Sequence, residues 1–66
     1  MSIRHTPAIK RDIASKLKTY RLKHNMSQEE LARLLSSSVF SISRWETAKN
    51  YPTSSAIKLM KISGVL

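Results

Sequence analysis

The sequence predicts an all-α fold, a compact bundle of four to five helices. Three observations carry this. Helix-forming residues dominate a chain of 66 residues that holds one glycine. Apolar residues recur at three- and four-residue steps in several segments, and no run shows the alternation of a strand. Serine, threonine and asparagine stand where those segments would begin or end. A chain this short makes one domain and buries only about 60% of its unfolded surface, so its core must be small and closely packed.

Met1 to His5 reads as a loose basic arm. Thr6 can then cap a first helix with Pro7 at its first position, where the missing N–H does no harm. Ile9, Ile13, Leu17 and Tyr20 form an apolar stripe, with Lys10, Arg11, Lys16, Lys18 and Lys23 elsewhere around the cylinder. A basic amphipathic helix also suits a membrane surface; beside the helical pair that follows, it reads as the first helix of a bundle. Asn25 tolerates the left-handed conformation and should end this helix near His24.

The second helix is predicted from about Gln28 to Leu35. Ser27 and Glu30 have the spacing of a capping box, in which the serine hydroxyl accepts from the Glu30 N–H and the carboxylate accepts from the Ser27 N–H. Met26 and Leu31 occupy the staple positions on either side. Glu29 and Glu30 put negative charge in the first turn, where the helix dipole favours it. Leu31, Ala32, Leu34 and Leu35 supply an apolar face. Ser36, Ser37 and Ser38 follow; three residues are too few for a useful tether, so they read as a tight turn with Ser38 the N-cap of the next helix.

A third helix runs from Val39 to about Thr47. Ile42, Trp45 and Glu46 share its inner face, and Phe40, Ser43, Arg44 and Thr47 share the opposite one. One aromatic, one arginine and two hydroxyls suit a major groove, where arginine reads guanine, hydroxyls read several partners and apolar atoms meet the thymine methyl. Two blander readings stand beside this: Phe40 tucked against the core, and Arg44 merely solvated. After the loop TAKNYP, Thr53 or Ser54 should cap a fourth helix carrying Ile57, Leu59, Met60 and Ile62, with Gly64 as its stop. The expected core is Ile13, Leu17, Tyr20, Met26, Leu31, Ala32, Leu35, Ile42, Trp45, Ile57 and Met60.

The segments SQEELARLL, ISRWE and the following Pro52 resemble the XRE family, the lambda-repressor-like helix-turn-helix proteins. The resemblance runs from about Ile13 to Val65. It implies a lambda-repressor-like bundle with a helix-turn-helix at about residues 28–47. By that resemblance Val39, Phe40, Ser43 and Arg44 read bases or adjacent phosphates. Gln28, Ser38, Thr47, Lys49, Asn50 and Tyr51 lie at the DNA backbone. Arg21 and Glu46 form an ion pair between the first and third helices, here partly covered by Trp45. The family usually has glycine where Ser36 stands, because the chain is left-handed there; serine adopts that conformation at a cost of roughly 1 kcal/mol. Val39 and Phe40 replace the glutamines with which phage repressors often begin the reading helix, which shifts the expected target to thymine methyls or DNA shape. Many members carry a fifth helix beyond the point where this chain stops.

Twelve Lys and Arg against four Asp and Glu leave a net charge of +8, which favours polyanionic partners. No apolar stretch approaches the roughly 18 residues of a membrane span, and MSIRHTPAIKRD lacks the apolar core of a secretion signal. There is no cysteine, hence no thiolate or disulfide chemistry. His5 and His24 lie far apart without ligand companions, the four carboxylates form no acid–base pair, and no nucleophile elbow or phosphate-cradling loop is present. The expectation is therefore no enzyme, no cofactor and no metal. It is a cytoplasmic, bacterial or phage-encoded regulator that binds double-stranded DNA in a sequence-specific way, akin to a phage or prophage repressor. Two other classes remain: a protein-interaction module on the same fold, such as an antitoxin or coactivator adaptor, and a single-strand binder, for which stacking aromatics are few. Ile62, Val65 and Leu66 either close the monomer core or form the contact of a homodimer on a pseudo-palindromic operator.

Overall fold

A computed structural model describes residues 7–66; Met1 to Thr6, and with them the basic arm, the proposed Thr6 cap and His5, lie outside the described residues. Among the described residues four α-helices follow one another: α1 Pro7–Lys23, α2 Gln28–Leu34, α3 Val39–Glu46 and α4 Ser54–Ser63. No strand occurs among the described residues. The fold is the all-α, lambda-repressor-like bundle the sequence predicts, and α3 packs against both α1 and α2.

Local chemistry sets the starts of the helices. At α2 both halves of the capping box are present: the Glu30 N–H donates to Ser27 Oγ at 3.1 Å, and the Ser27 N–H donates to Glu30 Oε1 at 2.9 Å. Ser38 caps α3 by accepting from the Ser41 N–H at 3.1 Å, and Thr53 caps α4 by accepting from the Ala56 N–H at 3.2 Å. The hydrogen bond from the Ser27 N–H, with the Ser27 hydroxyl adding to it, holds the Glu30 carboxyl below its ordinary pKa.

The helix ends repeat one device. Asn25, Ser36 and Ala48 have φ of 54°, 49° and 59°, the left-handed region. At each, two crossed hydrogen bonds close the helix. Met26 N–H reaches Arg21 O and Asn25 N–H reaches Leu22 O; Ser37 N–H reaches Ala32 O and Ser36 N–H reaches Arg33 O. Lys49 N–H reaches Arg44 O and Ala48 N–H reaches Trp45 O. Asn25 and Ser36 answer the sequence reading. Ala48 does not, because nothing in an alanine's own chemistry announces a left-handed residue. Only the fourth closure uses glycine, Gly64 at φ 90°.

The core gathers Ile13, Leu17, Leu31, Ala32, Leu35, Ile42, Trp45 and Met60, all foreseen, with Ala14, Ala56 and Val65 added. Fully burying a large aliphatic side chain contributes about 1.5–3 kcal/mol, so Leu17, Leu31, Leu35, Ile42 and Met60 dominate the driving force. Tyr20, Met26 and Ile57 are only half-buried. Two expectations are corrected. Leu34 belongs to the exposed side of α2, since on a two-turn helix packed from one direction Leu31, Ala32 and Leu35 already fill the inner face. Ile9 lies on the exposed surface, one turn before the buried part of the α1 stripe. The apolar end divides: Val65 closes the core, while Ile62 is 75% exposed.

Two measurements test these local devices. Ser36→Gly and Ala48→Gly should each relieve left-handed strain and raise unfolding free energy by about 1 kcal/mol, read from denaturant midpoints. A lower midpoint for either would show that its side chain stabilises the turn by more than the strain it bears. The Glu30 effect has a definite sign. A folded pKa below the unfolded value near 4.3 stabilises the fold above that pH, and the contribution fades as pH falls through the folded value. The stability gap between wild type and Glu30→Gln should thus shrink on acidification below pH ~4; a gap constant with pH would remove the carboxylate's role.

Candidate nucleic-acid interface

The side chains that orient α3 are on its inner face. Arg21 of α1 donates from Nε to Glu46 Oε2 at 2.7 Å and from Nη2 to Glu46 Oε1 at 3.1 Å, a forked pair. Nη1 donates to the Met26 carbonyl at 3.3 Å. Gln28, the first residue of α2, donates from Nε2 to Glu46 Oε1 at 3.2 Å. One carboxylate therefore joins three helices. The Glu46 and Arg21 side chains are 5% and 16% exposed. The hydrogen bonds to Glu46 raise the Arg21 pKa against the opposing effect of burial, so the guanidinium keeps its charge. Trp45, beside Glu46 in sequence, is buried in the core.

The outer face of α3 is open. Phe40 is 70% exposed, which answers the question of whether it tucks inward, and Val39 is exposed at 39%. Arg44 is half-buried: its guanidinium carbon lies 5.4 Å from the centroid of the Phe40 ring, and its Nε donates to Asn50 Oδ1. It is therefore held, not merely solvated. Ser43 is half-buried beside it. Thr47 Oγ donates to the Ser43 carbonyl at 2.8 Å, so this hydroxyl serves the helix end first. Ser38 Oγ also donates to Ser41 Oγ at 3.1 Å.

The structure thus brings Phe40, Ser43, Arg44, Thr47 and Asn50 to one side and holds Gln28 at the inner ion pair. Sequence reasoning missed the pairing of Arg44 with Asn50. Their separation of six residues has no helical periodicity; only the left-handed Ala48 brings them together. A hollow of about 280 Å³ lies between α3 and the loop after it, lined in part by Phe40, Arg44, Asn50 and Tyr51. Lys49 is exposed in that loop. Among the described residues no cluster of His, Asp and Glu could hold a metal ion, and no helix is long and apolar enough to cross a membrane.

Two helices meeting through the Ser36–Ser38 turn, the second presenting an open polar and aromatic face, define a helix-turn-helix DNA-binding protein. The helix-turn-helix family model matches residues 17–65, and the chain belongs to that family, the XRE type. Its domains bind double-stranded DNA and are not typically enzymes. No curated protein and no solved structure matches the chain significantly.

The inner ion pair is open to a direct test. Arg21→Ala leaves Glu46 buried without its cation, and Glu46→Ala strands both Arg21 and Gln28, so each should cost on the order of 3 kcal/mol of unfolding free energy. The double variant should cost less than the sum by about 1 kcal/mol or more. Strict additivity in urea titrations would mean that the pair contributes nothing as a pair.

Proposed function

We propose that this chain is a sequence-specific transcriptional regulator of the phage or prophage repressor type, acting in the cytoplasm on the nucleoid. It reads the major groove with α3. One observation supports this above the others: a large aromatic ring stands 70% exposed on a helix whose other face is buried, and it carries a held arginine. Outside the core the phenylalanine adds nothing to packing, whereas in a major groove it meets the thymine methyl. A net charge of +8 supplies the sequence-independent attraction to phosphate.

In this reading Val39 and Phe40 contact thymine methyls near the start of α3, the end that enters the groove in helix-turn-helix proteins. Ser43 reaches a base edge and Arg44 a guanine. Gln28 and Ser38 at the two helix starts, and Thr47, Lys49, Asn50 and Tyr51 at the far end, flank the groove and meet the sugar-phosphate backbone. Gln28 can do so while still bonded to Glu46, since an amide nitrogen has two N–H groups. Ile62 and Leu66 are left exposed near the end of α4 and offer an apolar contact between two copies on a pseudo-palindromic operator.

Selection from a random duplex pool is the experiment. A motif should emerge, with two inverted half-sites if the chain pairs on DNA. Log affinity for it should fall linearly with log salt, at about −0.9 per phosphate neutralised. Phe40→Ala should fold normally and lose roughly 1–3 kcal/mol of preference at one or two base pairs. A salt-insensitive chain that enriches no motif would instead be a protein-interaction module. A Phe40→Ala variant that unfolds, with base preference intact in its folded fraction, would put the ring in the core and refute the reading face.

A further inference from the structure

We infer that Asn50 is a specificity-determining positioning residue: by accepting from Arg44 Nε, it sets the direction in which the guanidinium reads a base pair. The inference rests on the reading of α3 as the groove-binding helix and gives Asn50 a task beyond backbone contact.

A long side chain such as arginine loses rotamer freedom when it binds, and that loss weakens the contact unless the side chain is ordered beforehand. Two restraints order Arg44. Phe40, one turn earlier on α3, lies under the guanidinium at 5.4 Å from ring centroid to Cζ. A cation over a ring is held along the ring normal but is free to turn about it. The hydrogen bond to Asn50 Oδ1 removes that freedom, because it is directional and uses one chosen nitrogen. Neither restraint is sufficient alone.

The backbone delivers Asn50 to this place. Ala48 is left-handed, and the Lys49 N–H donates to the Arg44 carbonyl at 2.9 Å, which turns the chain back over the last turn of α3. Beyond Asn50, Pro52 is buried and Thr53 caps α4. The loop is thus fastened on both sides of the asparagine. The consequence for recognition is chemical. Guanidinium can present either the Nε–Nη edge or the Nη–Nη edge to the two acceptors of guanine. With Nε committed to Asn50, only the Nη–Nη edge remains for the base.

The test uses the duplex that wild type enriches from a random pool, and the same duplex with the guanine pair read by Arg44 replaced. That pair is the one whose replacement no longer matters to Arg44→Ala. Asn50 is exposed, and thermal unfolding checks that Asn50→Ala keeps the fold. Asn50→Ala should cut discrimination at that pair about tenfold with an unchanged salt slope, and should add nothing in the Arg44→Ala background. Asn50→Asp, which keeps the acceptor, should bind all duplexes more weakly yet retain the discrimination. In the free chain, the Arg44 Nε–H NMR signal should be protected from exchange in wild type and lose that protection in Asn50→Ala. If Asn50→Ala weakens every duplex alike, with or without Arg44, the asparagine acts only as a backbone contact and the inference falls. If discrimination is unchanged, it falls as well. A wild type with no preferred duplex overturns the reading of function itself, an outcome distinct from a discriminating wild type matched by Asn50→Ala.

Discussion

The fold depends on where one carboxylate sits. Glu46 ends α3, yet its oxygens accept from Arg21 of α1 and Gln28 of α2. An ion pair removed from water loses much of its Coulombic gain to desolvation, so such a pair is weak evidence for high stability. It is strong evidence for geometry. A forked guanidinium–carboxylate contact tolerates little rotation, and a misplaced α3 would leave two charges buried apart. The apolar contacts of Ile42 and Trp45 hold α3 down, and leucines and isoleucines accept many similar packings. The ion pair selects one of them, and with it the angle at which the outer face meets a partner.

The closures between helices add a second constraint. Asn25, Ser36 and Ala48 are left-handed without being glycine. Each such residue costs energy that a glycine would not. In return, the crossed hydrogen bonds satisfy carbonyls that would otherwise be orphaned at the helix end. The unfolded chain also has fewer conformations to lose than it would with glycine at these sites. Two of these turns bracket α3, so the reading helix is short but firmly bounded: Ser38 caps its start, and the Ala48 closure ends it.

Between these constraints, α3 divides its labour by face. Ile42 and Trp45 are in the core, and Phe40 and Arg44 are on the other side, joined to the loop through Asn50. Positive charge outside and the helix's single acid inside keep repulsion away from a polyanionic partner. Thr47 shows the limit of reading such a face by type alone. Its hydroxyl proton is committed to the Ser43 carbonyl, so a side chain that looks available is partly occupied by the helix it ends.

What was legible in the sequence was local. Capping needs residues three apart, left-handed tolerance needs one residue, and amphipathic spacing needs a few turns; each is written within a short window. Hence the four helices, the Ser27 and Ser38 caps, a cap at Thr53 or Ser54, the left-handed Asn25 and most of the core could be read directly, while the left-handed Ser36 came from the family resemblance. The Arg21–Glu46 pair came from the family resemblance, since nothing in either residue names a partner 25 positions away. The tertiary structure decided the rest. It turned Leu34 and Ile9 outward because helix packing covers only one sector of each cylinder. It separated Val65 from Ile62, drew Gln28 onto Glu46, and made Ala48 left-handed so that Asn50 could reach Arg44. These outcomes depend on how whole helices dock, and docking is set by the sum of many non-local contacts that no short stretch of the chain contains.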